Sequence, residues 1–246
     1  METFRADLHV HTVLSPCAEI EMLPPLIIQE ALQRHIRLIA VTDHNASANV
    51  AAVQEAAGDS GVTVLPGMEL QTREEVHVLC LFDTLDQISA FQEVIDSSLP
   101  DIENNAELFG MQIVVDAAGE PVREEKRLLL TSTTLSLEQA FEKTYALGGI
   151  FIPAHVDRKG FGLIEALGFV PDNIQVDALE ITRRLTPEKA YQAFPQIRPY
   201  SLIQGGDAHR LDDLLGSTVF SLEKPVVSEL RLALTHQKAR TFFVDR

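Results

Sequence analysis

Short apolar runs at residues 4–8, 38–42, 62–65, 76–82, 150–153, 178–181, 201–204 and 218–220 punctuate this chain, with amphipathic stretches between most of them. That alternation predicts βα units and a largely parallel sheet, and hence an α/β fold of barrel type. Helix starts carry local signals. Pro24-Pro25 precede "LIIQEALQRH", Ser47 is placed to cap "ANVAAVQEAA" before Gly58, and Ser136 with Gln139 forms a capping box opening "LEQAFEKTYAL" ahead of Gly148-Gly149. "PVVSELRLALTHQ" is the last expected helix. Residues 100–135 break the pattern: "QIVVDAAGEPV" reads as a hairpin turning at residues 117–119, followed by the charged "REEKR". This stretch is expected to be a small insertion, a lid-like excursion, within one domain spanning 1–246. With 246 residues, 46% of them hydrophobic, such a chain can bury a full core.

The polar residues fall in a pattern tied to those runs. His9 and His11 follow the first, Asp43 and His44 the second, Glu69 the third, His155 "GIFIPA", and Asp207 and His209 "LIQGG". In a parallel barrel the C-terminal strand ends open on one rim, where active sites assemble, so these remote residues are expected to converge. Imidazole and carboxylate together suit zinc, manganese or iron better than calcium or magnesium. Seven of these as donors (His9, His11, His44, Glu69, His155, Asp207 and His209) exceed one tetrahedral shell, and two or three ions sharing a carboxylate is the economical reading. A water bridging such ions would ionise near neutral pH, and the ions would offset charge on a transferring phosphoryl group. His35, near a helix C-terminus, and His236, in a terminal amphipathic segment, are read as ordinary surface histidines. His77 starts its run, "EEVHVLCLFD", where the rim argument does not place it; periodicity sets it on one face with Leu79 and Leu81, opposite Val76, Val78, Cys80 and Phe82. Metal ligand and half-buried strand histidine stay equally open there.

Bulk properties bound the partners. The formal charge of −16 argues against long nucleic acid held on a basic face while leaving room for a small phosphorylated substrate in a local positive pocket. Two cysteines, Cys17 and Cys80, make no disulfide framework. The N-terminus has no signal-peptide pattern, and no apolar run approaches the ~18 residues of a membrane span, so a cytoplasmic protein without membrane contact is expected.

"DLHVHT", "TDHN", "PGMEL…EEVHVL", "PAHVDR" and "GGDAH", in this order over residues 7–209, resemble the polymerase and histidinol phosphatase (PHP) family of metal-dependent phosphoesterases. The resemblance implies a distorted (β/α)7, TIM-like barrel with a trinuclear centre at the C-terminal rim. It implies that His9, His11, Glu69 and Asp207 hold a first ion, that Glu69 bridges to a second completed by His77 and His155, and that His44 and His209 bind a third. Asp7 and Asp43 would orient histidines through their free ring nitrogens, with Asp43 alternatively reaching an ion. The family's further ligand to the third ion, a histidine or aspartate, falls here on Pro16 and Cys17. A Cys17 thiolate can ligate and would favour zinc or iron; otherwise Glu19 or water fills the place.

On the substrate side Arg158, three residues after His155, is the expected phosphate grip, with Arg183 and Arg184 after "ALEIT" as further candidates and Lys159 and Arg210 as weaker ones. The expected reaction is hydrolysis of a small phosphomonoester, histidinol-phosphate-like, nucleotide or bisphosphate, by in-line attack of a metal-bridging hydroxide. Asp207, Arg158 and His209 would be its catalytic residues, with His209 or His44 protonating the leaving oxygen. Two rivals are an amidohydrolase-like enzyme, disfavoured because no lysine stands at a strand end in a motif, and a non-catalytic metal-binding domain, disfavoured because nearly every ligand position is filled.

Overall fold

A computed structural model describes residues 1–245. Its strands are β1 (Glu2–Val10), β2 (Leu38–Val41), β3 (Thr63–Gln71), β4 (His77–Leu81), β5 (Ile113–Val115), β6 (Pro121–Glu124), β7 (Ile150–Pro153), β8 (Leu179–Ile181), β9 (Leu202–Gln204), β10 (Thr218–Leu222) and β11 (Thr241–Val244). The helices are α1 (Pro24–Gln33), α2 (Val50–Ala57), α3 (Leu85–Ser98), α4 (Ala106–Phe109), α5 (Leu137–Ala146), α6 (Leu163–Leu167), α7 (Pro187–Ala193) and α8 (Val227–Leu234). Every expected strand is present. The caps are as expected at Ser136, whose hydroxyl accepts from Gln139 N–H, and at Gly58, which ends α2 at φ +41°. Ser47 is a correction: α2 starts at Val50 with Asn49 at its N-cap position, and the Ser47 hydroxyl is drawn to Gln92 Oε1 at 2.9 Å instead.

The main sheet runs β11-β10-β1-β2-β3-β4-β7, with a separate parallel pair β8-β9. That pair closes the ring. Val156 N–H donates to Glu180 O at 2.8 Å on the β7 side; beyond β9, Ala208 N–H donates to His9 O and His11 N–H to Ala208 O, both at 3.0 Å. Strands β1, β2, β3, β4, β7, β8 and β9 thus enclose a distorted seven-stranded α/β barrel, while β10 and β11 extend the sheet beside the first half of β1. One barrel strand runs backwards. β4 is antiparallel to both β3 and β7, with Gln71 opposite His77 and Val78 opposite Pro153.

Alternation puts Leu65 of β3, Leu79 and Leu81 of β4 and Ile150 and Ile152 of β7 into the barrel interior with Phe4, Ala6 and Leu8. The opposite faces meet the helices: Ile39 and Val41 pack with Ile27 and Val53, and Val78, Cys80 and Phe82 with Phe91. Gly67 sits where a Cβ would come within 2.8 Å of Leu81 and 2.9 Å of Thr42, so the chain below Glu69 passes too close for any larger residue.

The excursion at residues 100–135 contains α4 and the β5-β6 hairpin, turning where expected: Gly119 N–H donates to Asp116 O. It packs on the loops after β1 and β2. Ile113 N–H donates to Val13 O, Asn49 Nδ2 to Ile113 O, and Asn45 Nδ2 to both Leu129 O and Thr131 O at 2.8 Å. Buried Leu14, Ala46, Val114 and Leu129 fill the seam. The excursion therefore buttresses the segments that carry His11 and His44.

Candidate metal centre

Six of the eight histidines meet around Glu69. His77 Nδ1 lies 2.8 Å and His155 Nε2 3.1 Å from Glu69 Oε1, with His9 Nε2 at 3.3 Å; His44 Nδ1 lies 2.9 Å and His11 Nε2 3.4 Å from Oε2. Asp207 Oδ1 stands 3.3 Å from His9 Nε2 and 3.4 Å from His11 Nε2. His209 stacks on His11 with ring centroids 4.1 Å apart.

Local backbone features aim these side chains. The β1–β2 register shifts between Asp7 and Val10, so Leu8 stays in the interior and Val10 turns to the helices, while His9 and His11 both face the rim. His155 at φ +32° and Asp207 at φ +47° hold left-handed backbone, uncommon outside glycine and recurrent at functional sites. His77 reaches the rim because β4 runs backwards: its first residue lies level with the last residue of β3.

The donors fall into three groups able to hold a cation: His9, His11, Glu69 and Asp207; His44, Glu69 and His77; and His11, His44 and His209. Among the described residues, the buried His9 Nε2, His11 Nε2 and Glu69 Oε2 have no hydrogen-bond partner. Leaving such atoms unpaired costs about 1–3 kcal/mol each, and a cation at their focus satisfies all three. The residues fit a metal centre. His155 faces the same Glu69 oxygen as His77 but is not within a convergent group, so the Glu69–His77 group gathers His44 where His155 was expected. Cys17, an exposed free thiol, stands near enough to His209 and His44 for both to lower its pKa, without joining their group. His35 and His236 lie outside all three.

Charge follows the geometry. Burial would raise the Glu69 pKa, but the imidazoles of His77, His9 and His44 outweigh it and hold the carboxyl well below the usual range. Burial pushes His77 down to about 4. For His44 burial also lowers the pKa, but Glu69 and the nearby Cys17 reverse this and raise it to about 10. Desolvation would raise the Cys17 thiol, yet His209 and His44 beside it bring it to about 7, toward the thiolate that ligates metals.

Two expected supports act differently. Asp7 accepts backbone N–H groups of Gly206, Leu215 and His9, at 2.9, 2.6 and 3.2 Å, and touches no imidazole nitrogen. It fixes the Asp207 loop against β1. Asp43 accepts from Thr12 N–H, the Thr12 hydroxyl and the Ser15 hydroxyl, and Ser15 in turn meets His11 Nδ1 at 2.9 Å, so Asp43 orients His11 through Ser15. The residue that holds His9 is Glu180 of β8: its Oε2 accepts His9 Nδ1–H at 2.9 Å and His155 N–H at 3.0 Å. Sequence reasoning missed it, although a glutamate inside the apolar run "ALEIT" was a visible signal. Gly205 makes room for it, since a Cβ there would stand 2.0 Å from Glu180 Oε1.

Beside the centre lies a cavity of about 640 Å³ lined by Arg158, Lys159, Arg183, Arg184, Asp207 and His155 among others. Arg158 Nη1 donates to Asp207 Oδ2 and Arg183 Nη2 to Asp213 Oδ1, both at 2.8 Å. All three expected arginines therefore border one cavity that opens on a ligand of the first group. Arg210 does not line it; its guanidinium meets Asp213 at 3.6 Å.

The sequence profile of the PHP domain family matches residues 7–144, more than half of the chain. The chain belongs to the PHP family. Members of that family are metal-dependent hydrolases that use several divalent ions, in agreement with the donor groups here. Among its relatives is YqxK of Bacillus subtilis, 23% identical over 242 residues, covering 86% of this chain and 56% of the relative. Solved structures with the same fold include the lesion-specific endonuclease Q of Pyrococcus furiosus, with a TM-score of 0.67, 19% identity, and coverage of 98% of this chain and 58% of that one. A complex of endonuclease Q with a 27-mer duplex carrying an abasic lesion matches at a TM-score of 0.66, with the same identity and coverage. This PHP domain thus spans just over half the length of these relatives. The duplex complex also corrects the expectation drawn from net charge. Endonuclease Q, which shares this fold, holds a 27-mer duplex with an abasic lesion at its active site, and net charge summed over a surface does not by itself exclude a nucleic-acid strand. No helix among the described residues is long and apolar enough to cross a membrane.

Proposed function

We propose that this PHP domain is a phosphoesterase that hydrolyses a phosphomonoester at the rim of the barrel. The observation that carries the reading is the junction of a buried set of unpaired metal donors with a cavity edged by three arginines and a lysine. Two or three divalent transition-metal ions, zinc, manganese or iron, held by His9, His11, His44, Glu69, His77, His155, Asp207 and His209, would supply Lewis-acid stabilisation of phosphoryl oxygens and lower the pKa of attacking water. Cys17 is the remaining candidate donor beside His44 and His209.

The chain's own groups do the rest. Arg158, already paired to Asp207 through one nitrogen, keeps its other N–H groups to grip a phosphoryl oxygen at the cavity mouth. Arg183 and Arg184 line the far side of that cavity and draw an anion inward. His209 has its Nδ1 tied to the Asp207 carbonyl, so its Nε2 serves either as a donor to an ion shared with His11 and His44 or, where no ion takes it, as the group that protonates the leaving oxygen.

A second reading is hydrolysis of a phosphodiester in a nucleic acid strand, favoured by the shared fold with endonuclease Q. A phosphate-release screen over phosphorylated metabolites, run beside an end-labelled oligonucleotide and with manganese, zinc and iron compared, separates the two. Phosphate release from small monoesters supports the first reading, strand scission alone supports the second, and inertness toward both classes with every metal refutes both.

A further inference from the structure

We propose that Phe161 is a stacking platform for the base of a nucleotide substrate, an inference that rests on the phosphoesterase reading above and names its substrate class. The Phe161 ring lies almost parallel to the His77 imidazole, 9° between planes and 4.5 Å between centroids. His77 covers one face, yet Phe161 is 40% exposed and belongs to none of the buried apolar clusters. A large ring left in water at the edge of a metal centre gains little from burial there.

The backbone holds the ring in place at a cost. Phe161 sits at φ +61°, unusual for a bulky residue, and its carbonyl accepts His77 N–H at 2.9 Å. The loop is wound tightly after it, since a Cβ at Gly162 would stand 2.4 Å from Arg158 O. An aliphatic side chain would shield His77 equally well. What a ring adds is a flat π face, which every nucleobase can stack on.

The neighbours on this loop supply the other half of a nucleotide. Arg158, Lys159 and Gly160 border the cationic cavity, while Phe161 turns to the His77 side of the donor cluster. Within four consecutive residues the loop offers a guanidinium, an ammonium and an aromatic face. A ligand bridging them carries a phosphate and, at its other end, a planar ring; a sugar phosphate lacking the ring would leave Phe161 unused.

The test is calorimetric titration of the metal-loaded protein with inorganic phosphate, a ribose phosphonate and an adenosine phosphonate, the last two resisting hydrolysis and differing only in the base. The adenosine ligand is expected to bind about 5-fold or more tighter than the ribose ligand, in line with the worth of one base stacked on an aromatic ring. Phe161→Leu should bring the two together without changing the ribose affinity, and Phe161→Tyr should keep the preference. Equal affinities in the unsubstituted protein, or a preference that survives Phe161→Leu, overturn the proposal while leaving the phosphoesterase reading intact. A protein that binds none of the three ligands overturns both. Should elemental analysis show that the leucine variant has lost metal, Phe161→Trp decides: its larger ring should widen the preference, and an unchanged or narrowed one refutes stacking.

Discussion

Removing the carboxylate of Glu180 tests how the centre is built, because this side chain borders the cavity while its hydrogen bonds go to His9 and to the His155 backbone. Its Oε2 takes two hydrogen bonds, from His9 Nδ1 and from the His155 backbone, and the pair with His9 is fully enclosed. Glu180→Gln keeps the shape and one acceptor oxygen but removes the charge. A hydrogen bond to a charged group is worth about 1.5–3 kcal/mol and a neutral one about 1, so the two bonds together lose about 1–4 kcal/mol. Glu180→Ala leaves both donors without an acceptor in a dry site, at about 1–3 kcal/mol each. The carboxylate also raises the basicity of the His9 nitrogen that faces Glu69 and Asp207, and losing such an outer partner costs roughly 10–100-fold in metal affinity. The expectation is about 10-fold weaker zinc binding for the glutamine variant and about 100-fold for the alanine variant. A competition titration against a chromogenic chelator reads both. Gly205→Ala, which drives a methyl group onto the same carboxylate, should weaken binding as well. Zinc affinity left unchanged in Glu180→Ala would show that His9 needs no such anchor and would refute the reasoning.

Three further outcomes are expected. His9→Ala and Asp207→Ala, each removing a donor from the four-membered group, should abolish aryl phosphate hydrolysis and lower metal content by about one equivalent in elemental analysis; an active variant would rule out that group. In the metal-free protein His44 is raised to about 10 from an ordinary value of 6.5, so its protonation stabilises the fold fully below pH 6.5 and that contribution fades as pH climbs through 10; melting temperatures of the apo form should fall over this window, and a flat profile would contradict it. Cys17→Ala should reduce metal stoichiometry or weaken the last equivalent bound, because the thiol stands against His44 and His209; unchanged occupancy would confine it to a neighbouring, non-ligating role.

Strand faces are legible in the sequence even where roles are not: alternation leaves His77 open between metal ligand and strand histidine. Glu69 follows Leu65 and Gly67 on one face of β3, and His77 precedes Leu79 and Leu81 on one face of β4, as a period of two requires. The His-x-His pair announced itself in "DLHVHT", and the capping box at Ser136 was readable because its partners lie three residues apart. Ser47 misled because a hydroxyl near a helix start competes for partners, and Gln92 on α3, far along the chain, won it.

Local pattern therefore marked out the candidate donors and, for His77, the strand face on which it stands. What it could not contain was direction and contact between strands. His77 joins the centre only because β4 runs against its neighbours, and no periodicity within a strand encodes its orientation relative to another. Glu180 was one glutamate among many until ring closure laid β8 beside β7 with its carboxylate against His9 at the end of β1, and Asp7 was given backbone amides to hold, not an imidazole, by a loop two hundred residues away. Alternation is a property of one segment, whereas the meeting of donors depends on hydrogen bonds between segments that become neighbours only when the barrel closes.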